Sequence, residues 1–316
     1  MAAAVRSPIP PDRPLLALSE YETGEVRLTA VQELTLRRLA QGRLTILPGD
    51  APGSWRVQAS SYVGTITTPD LRILIRPKVS TANLFHLLEA GSRSLRVGPE
   101  VFDYEETEDL LPAFATFFAR HLETALSRGV PRAYRELHER VAGIRGRVDL
   151  PAQLRLAGLP LPVECRFDEY TGDIALNRIL QGATIRLLRL PGVTITTRQA
   201  LQRLAARLEE AGSLTPIDLR SETVFTRLNE HCRPAERLAR MVLGGSSLLD
   251  AVGAAGAAVF LVDMNKVFEE FVASRLRRYL AGRQVVHLQW RDKLDTAGSV
   301  RIRPDLVFGP IAGAIT

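Results

Sequence analysis

Alternation of apolar and polar positions is clearest between Tyr62 and Val79. Leu71, Ile73 and Ile75 alternate with Arg72, Leu74 and Arg76, the period of a strand with one apolar face and one partly charged face. Residues 62–67 and 71–76 flank Thr68-Pro69-Asp70, a turn by its residue types, so the segment predicts a β-hairpin. Shorter runs carrying Leu44, Ile46, Trp55 and Val57 are divided by Pro48-Gly49-Asp50 and Pro52-Gly53. Residues 14–78 are therefore β-rich, with short helices at about 29–41 and 81–91.

Helical spacing then takes over. Leu110, Leu111, Phe114, Phe117, Phe118, Leu122, Ala125 and Leu126 fall on one face, and Gly129 ends that helix. Further helices are predicted at 174–189, with Leu176, Ile179, Leu180, Ala183, Leu187 and Leu188 on one face, at 198–211, and from Pro234 to about 243. Segments 143–170 and 212–232 read as irregular or extended, and Leu248–Ala258 as a connection. Asp263 caps a helix running to about Ala281, striped by Met264, Val267, Phe268, Phe271, Val272, Leu276 and Tyr279. Two strands follow, 284–290 and 299–308, with Gly298 in the turn between them.

The pattern predicts an α+β fold in three parts after a disordered leader at 1–14: a β-rich N-terminal module (15–92), a mainly helical middle (93–258) and a C-terminal helix–strand–strand section (259–316). No apolar run reaches the roughly 18 residues of a membrane span, and the proline-broken start has no signal-peptide core. The expected location is the cytoplasm.

Charge changes this picture a little. The balance of 41 basic and 35 acidic residues leaves +6, a mild preference for anionic partners. The only lysines are Lys78, Lys266 and Lys293, and none follows a glycine, so the chain has no GxxxxGK[ST] phosphate loop and is not a P-loop NTPase. Cys165 and Cys232 form no CxxC pair, and with five scattered histidines, His231 beside Cys232 included, a structural zinc site is not expected.

The chemistry-bearing string is Arg303-Pro304-Asp305-Leu306-Val307-Phe308. A carboxylate after proline on a strand, behind a helix and one strand, is the first half of a PD-(D/E)xK nuclease site, where Asp305 would bind Mg²⁺ that activates water. Helical geometry puts Glu269 at the edge of the apolar stripe and turns Glu270 away, so Glu269 is the better second acid. Pro69-Asp70 with Arg76-Pro77-Lys78 imitates the motif, but Arg76 stands where a carboxylate is required. Arg145 and Arg147 flank Gly146 and read either as contacts to a partner or DNA or as ion pairs with Asp149, Glu164 or Asp168. Arg72 and Arg76 read as phosphate or partner contacts or as a solvated strand face. Asp168, Glu169 and Asp173 suggest a carboxylate metal site, but Asp173 is more simply a helix cap, and Asn177 ties that helix to 168–171.

Five strings in order, LRILIRPK (71–78), RGRVDL (145–150), DEYTGDIALNRIL (168–180), DMNKVFEEFV (263–272) and RIRPDLVF (301–308), resemble the McrC family, the nuclease subunit of McrBC-type modification-dependent restriction systems. The resemblance spans residues 15–308. It implies an McrB-like AAA+ GTPase partner, engaged through the N-terminal part, which binds the GTP and recognises the methylated DNA. It also implies a C-terminal PD-(D/E)xK endonuclease using Mg²⁺, with Asp305 and Glu269 matching the family's acids. The family's D/E-x-K pair is missing after Asp305, so the expectation is a truncated nuclease domain with an incomplete catalytic site that binds Mg²⁺ poorly and does not cut. A non-catalytic GTPase-binding adaptor and a decayed gene product stay open as alternatives.

Overall fold

The computed structural model describes residues 15–40, 42–90, 110–155, 161–244, 258–281, 283–288, 290–295 and 299–310. The leader, most of the 248–258 connection, Gly298 and the last six residues lie outside the described residues. The chain forms two compact units, one of Met1–Thr116, Leu190–Val193 and Gly244–Thr316, the other of Phe117–Arg189 and Thr194–Leu243. Among the described residues no helix is long and apolar enough to cross a membrane.

In the first unit the predicted hairpin is present as β5 (Tyr62–Thr67) and β6 (Arg72–Arg76). It is in register from Gly64 opposite Ile75 to Thr67 opposite Arg72, and closed by Thr68 N–H donating to Leu71 O at 2.8 Å. β1 (Leu15–Ser19) adds in parallel to β6. On the other side β5 pairs antiparallel with β10 (Ala258–Asp263), giving the order β1-β6-β5-β10. The sequence reading placed no strand at β10. Ala258 to Val262 are all buried, so this strand shows a continuous apolar run rather than alternation, and periodicity cannot identify it. Gly64 makes the pairing possible. Its φ is +131°, and a Cβ there would lie 2.1 Å from Phe260 O.

A second sheet of the same unit orders β2 (Thr23–Arg27), β4 (Ser54–Ala59) and β3 (Leu44–Pro48) as β2-β4-β3. α1 (Ala30–Ala40) opens on a reciprocal cap, in which Thr29 N–H donates to Gln32 Oε1 and Gln32 N–H to Thr29 Oγ1. α2 (Thr81–Ala90) packs on α9 (Met264–Tyr279). As the sequence predicts, Asp263 caps α9 by accepting from Asn265 N–H. It also accepts from Ser61 Oγ, while Met264 N–H donates to Ser61 O, so the helix start is pinned to the lead into β5. α9 packs on β11 (Gln284–Leu288), which pairs antiparallel with β14 (Leu306–Pro310). Between these two strands lies a short ribbon of β12 (Asp292–Lys293) and β13 (Arg301–Ile302). The single strand predicted at 299–308 is thus two pieces. Pro304 has no N–H and a fixed φ, and the ladder stops on either side of it.

The unit boundary falls inside α3 (Leu110–Leu126), between Thr116 and Phe117. In the second unit Phe118, Leu122 and Leu126 are buried, as are Ile179, Leu180 and Leu187 of α5 (Ala175–Arg189) and Leu201 and Leu204 of α6 (Ile195–Arg207). Thr194 caps α6, Thr215 and Asp218 form a capping box on α7 (Pro216–Arg220), and α8 (Arg233–Gly244) follows a single 3₁₀ turn at Glu230–Cys232. β7 (Ala133–Val141), β8 (Arg147–Val148) and β9 (Val163–Thr171) form an antiparallel sheet in the order β7-β9-β8, with α4 (Leu150–Leu154) between β8 and β9. The stretch read as irregular or extended at 143–170 is extended over β8 and most of β9 and helical at α4.

Asp173 is not the simple cap that the sequence suggests. Its carboxylate accepts from Arg178 Nε at 2.6 Å, Arg135 Nη1 at 2.6 Å and Gly212 N at 2.7 Å. Arg178 reaches on to Asp218 at 3.4 Å. The Arg178 hydrogen bond, above all, holds the Asp173 carboxyl well below the usual carboxylate range. Asn177, fully buried, donates through Nδ2 to Pro131 O (2.7 Å) and Gly172 O (2.8 Å), so it ties its helix to the segments beside β7 and after β9 rather than to 168–171.

Two outcomes follow for stability. Gly64→Ala should cost about 3 kcal/mol or more, because the clash is with backbone at a left-handed φ, and chemical denaturation of the variant measures it. Asp173→Asn should cost about 2 kcal/mol near neutral pH. A depressed folded pKa contributes stability above the unfolded carboxylate pKa and loses it as pH falls toward the folded value. The gap between wild type and Asp173→Asn, followed by melting temperature, should therefore be widest above about pH 5 and close as the pH drops below about 4.

Candidate functional site

The first candidate lies in the α9–β11–β14 part of the first unit. Asp305 is exposed and sits in the bend just ahead of β14, rather than within a strand as read from sequence. β14 is aligned on β11 with Leu306 opposite Leu288 and Phe308 opposite Val286. Glu269 lies on α9, the helix that packs on β11. The expected contrast between Glu269 and Glu270 is absent, since both are half-buried. The stripe that generated it is narrower than predicted: Met264, Val267 and Ala273 are buried, whereas Phe268 and Tyr279 are 57% and 72% exposed.

Two carboxylates are suitable donors for Mg²⁺, which commonly takes one or two protein carboxylates and fills its octahedron with water and substrate oxygens. Among the described residues, however, no three His, Cys, Asp or Glu side chains converge to hold a metal ion. Asp305 and Glu269 are the residues that would contribute to a Mg²⁺ site, and the described residues provide no completed one.

The second candidate lies in the second unit. Where β8 meets β9, an open depression of about 840 Å³ is bordered by Arg145, Gly146, Arg147, Arg166 and Asp168. Gly146 shapes it: at φ +68° it brings the backbone so close to β9 that a Cβ would lie 2.4 Å from Arg166 O. That turn directs its two flanking arginines differently. Arg145 lies over the Phe167 ring at 4.0 Å, with Nη2 3.5 Å from Glu169. Arg147 stands directly opposite Arg166 on β9, and its exposed side chain forms no ion pair or hydrogen bond among the described residues.

Two of the three acids that the sequence offered these arginines are paired with others. Asp149 is held by Arg166 (Nη2 at 2.6 Å) and caps α4, and the Arg166 hydrogen bond keeps its carboxyl below the usual range. Glu164 is held by Arg140. Arg166, Phe167 and His138, which stands opposite Arg166 on β7, were missed from the sequence. Their relation to Arg147 exists only through strand pairing in a stretch that showed no clean alternation.

The hairpin arginines part ways. Arg72 lines a cleft of about 10 Å³ with Thr65, Thr67, Leu111, Leu190, Pro191, Ala258 and Phe260. That volume has room for a single water and not for a phosphate. The solvated face expected there is not present, because Leu74, on the same face of β6 as Arg72, is 3% exposed. Arg76, at the strand end, is exposed.

Comparison with known proteins supplies what the geometry leaves open. The model of a family described as McrBC 5-methylcytosine restriction system component matches residues 57–313. No curated protein matches the chain. Among solved structures, it is similar to a refined half-complex from a tetradecameric assembly of Thermococcus gammatolerans McrB AAA+ hexamers with bound McrC. That match has TM-score 0.53 and 21% identity, over 94% of this chain and 77% of the other. It is also similar to a cryo-EM structure of the Thermococcus gammatolerans McrBC complex, with TM-score 0.51 and 22% identity, over 84% of this chain and 88% of the other. At such identities the structural likeness establishes the fold, while the family match extends over most of the sequence. The chain therefore belongs to the family of McrBC 5-methylcytosine restriction system components, whose McrC subunit is the one its five strings resemble.

Proposed function

We propose that this chain is the McrC-like subunit of a GTP-dependent, modification-dependent restriction complex. In this reading it docks on an McrB-like AAA+ GTPase, raises its GTP turnover, and contributes Asp305 and Glu269 to Mg²⁺-dependent DNA cleavage. The partner binds the GTP and the methylated base, which accords with the absence of a phosphate loop from this sequence. The family match over residues 57–313 carries the reading, and the similar Thermococcus gammatolerans structures contain McrB with McrC. Within this chain, the Arg145–Arg147 depression is the surface best suited to a partner. Arg147 is exposed and already oriented, and it faces a like charge rather than an acid.

Mg²⁺, when bound, would activate the attacking water. The chain's own contribution is to present two carboxylates from a helix and a strand lead that pack through β11. A reading without cleavage, as a GTPase-binding adaptor, differs in a single measurable respect: stimulation of GTP turnover would then be the whole activity.

Purified chain mixed with its cognate AAA+ protein should raise GTP turnover, and unchanged turnover with no co-purification would remove the proposal. Arg147→Ala should weaken the stimulation roughly 10-fold, the loss typical of a central interface side chain, with no change in melting temperature. Arg145→Ala should also lower stability by about 1 kcal/mol, since it gives up the Phe167 and Glu169 contacts. In the assembled complex with Mg²⁺ and GTP, any cleavage of methylated DNA should disappear in Asp305→Ala while GTP turnover stays at the wild-type level. Cleavage that survives the substitution takes Asp305 out of the site, whereas stimulated GTP turnover with no cleavage by the wild type leaves the adaptor role.

A further inference from the structure

The ribbon of β12 and β13 carries a charge arrangement that the fold does not need. Lys293 stands directly opposite Arg301, and Asp292 opposite Ile302. Arg291 and Arg303 stand next to the paired residues, just outside the ladder, and alternation of side chains along a strand would put them on the side of Lys293 and Arg301. The ribbon and its two flanks thus carry four cations, all exposed. Like charges directly opposite each other on paired strands are destabilising.

The nearby acids do not relieve this. Asp292 accepts from Trp290 Nε1 at 3.3 Å and from Lys293 N–H at 2.8 Å. Asp295 accepts from the N–H groups of Ser299 and Val300 at 3.0 and 2.9 Å, and so braces the turn. None of the four cationic side chains has an ion pair or hydrogen bond among the described residues. Such residues keep a ribbon soluble when scattered, but solubility does not require them paired on one face. Their charge is complementary to a line of phosphates. Side chains two apart along a strand are ~6.8 Å apart, about two phosphate steps of a DNA strand along its axis.

We propose that the Arg291–Lys293–Arg301–Arg303 face is a docking surface for the sugar-phosphate backbone of duplex DNA. It grips without reading base or methylation and delivers the backbone toward Asp305, two residues beyond Arg303. The proposal rests on the reading of this chain as a subunit that handles DNA, but it is tested without the GTPase, so the two can fail separately.

The test is fluorescence anisotropy of the full chain with a 30-base-pair duplex, methylated or not, across a salt series. Wild type should bind both duplexes equally. Each phosphate contact contributes ~0.9 to the slope of log affinity against log salt. The quadruple variant Arg291→Gln, Lys293→Gln, Arg301→Gln, Arg303→Gln should therefore lose about 3.6 units of slope and at least ~10-fold in affinity near 0.1 M salt. Its melting temperature should stay level or rise, since the like-charge pairs are gone, and its stimulation of GTP turnover should match wild type. Three results would overturn the proposal: wild type that does not bind duplex, a variant with unchanged slope and affinity, or polyglutamate competing as well as unlabelled duplex, which would assign the face to an acidic protein instead.

Discussion

The pairing of β5 with β10 is the interaction on which the first unit depends. It joins a strand from the early part of the chain to one that follows the whole second unit. Closing so long a stretch of chain costs only slowly more than closing a short one, because the entropy grows with the logarithm of length. What the pairing does require is close backbone approach, and Gly64 provides it where any side chain would meet Phe260 O. The Ser61–Asp263 contacts at the end of the same pairing fix where α9 begins. The register of β10 therefore sets the position of Glu269, and through β11 and β14 that of Asp305. Both carboxylates are placed by a strand pairing that contains neither of them.

The second unit is organised by a polar centre instead. Asp173 gathers Arg135 from β7, Arg178 from α5 and the Gly212 N–H from the segment before α7, while Asn177 joins α5 to Pro131 and Gly172. Buried or half-buried polar groups must find partners, and here one carboxylate and one amide satisfy groups from several separate segments. The β7-β9-β8 sheet is thereby tied to the helices, which gives the Arg145–Arg147 turn a rigid base.

In both units local stability gives way at positions suited to contact. Arg147 faces Arg166, and Lys293 faces Arg301, although either pairing would be stronger with an acid on one side. In the first case Asp149 relieves Arg166 and leaves Arg147 unpaired. In the second, the acids are consumed in bracing the turn. Departures of this kind from the locally best choice tend to mark surfaces that act on something else.

The sequence by itself determined the elements whose signal is local. The Tyr62–Arg76 hairpin was legible from alternation about a Thr-Pro-Asp turn, α3 and α5 from helical spacing, the α9 start from Asp263, and the family from five short strings in order. Tertiary structure decided what depends on partners distant in sequence. β10 is covered on both faces and so lacks alternation, and β8 is only two residues long and has meaning only beside β9. Arg72 lines a narrow cleft and is half-buried because other segments of the unit come up beside it. Asp173, an ordinary cap by position, became the centre of an ion-pair network because Arg135 and Gly212 arrive from elsewhere. Periodicity and capping are properties of a few consecutive residues, whereas pairing, burial and charge neighbours are properties of the folded chain.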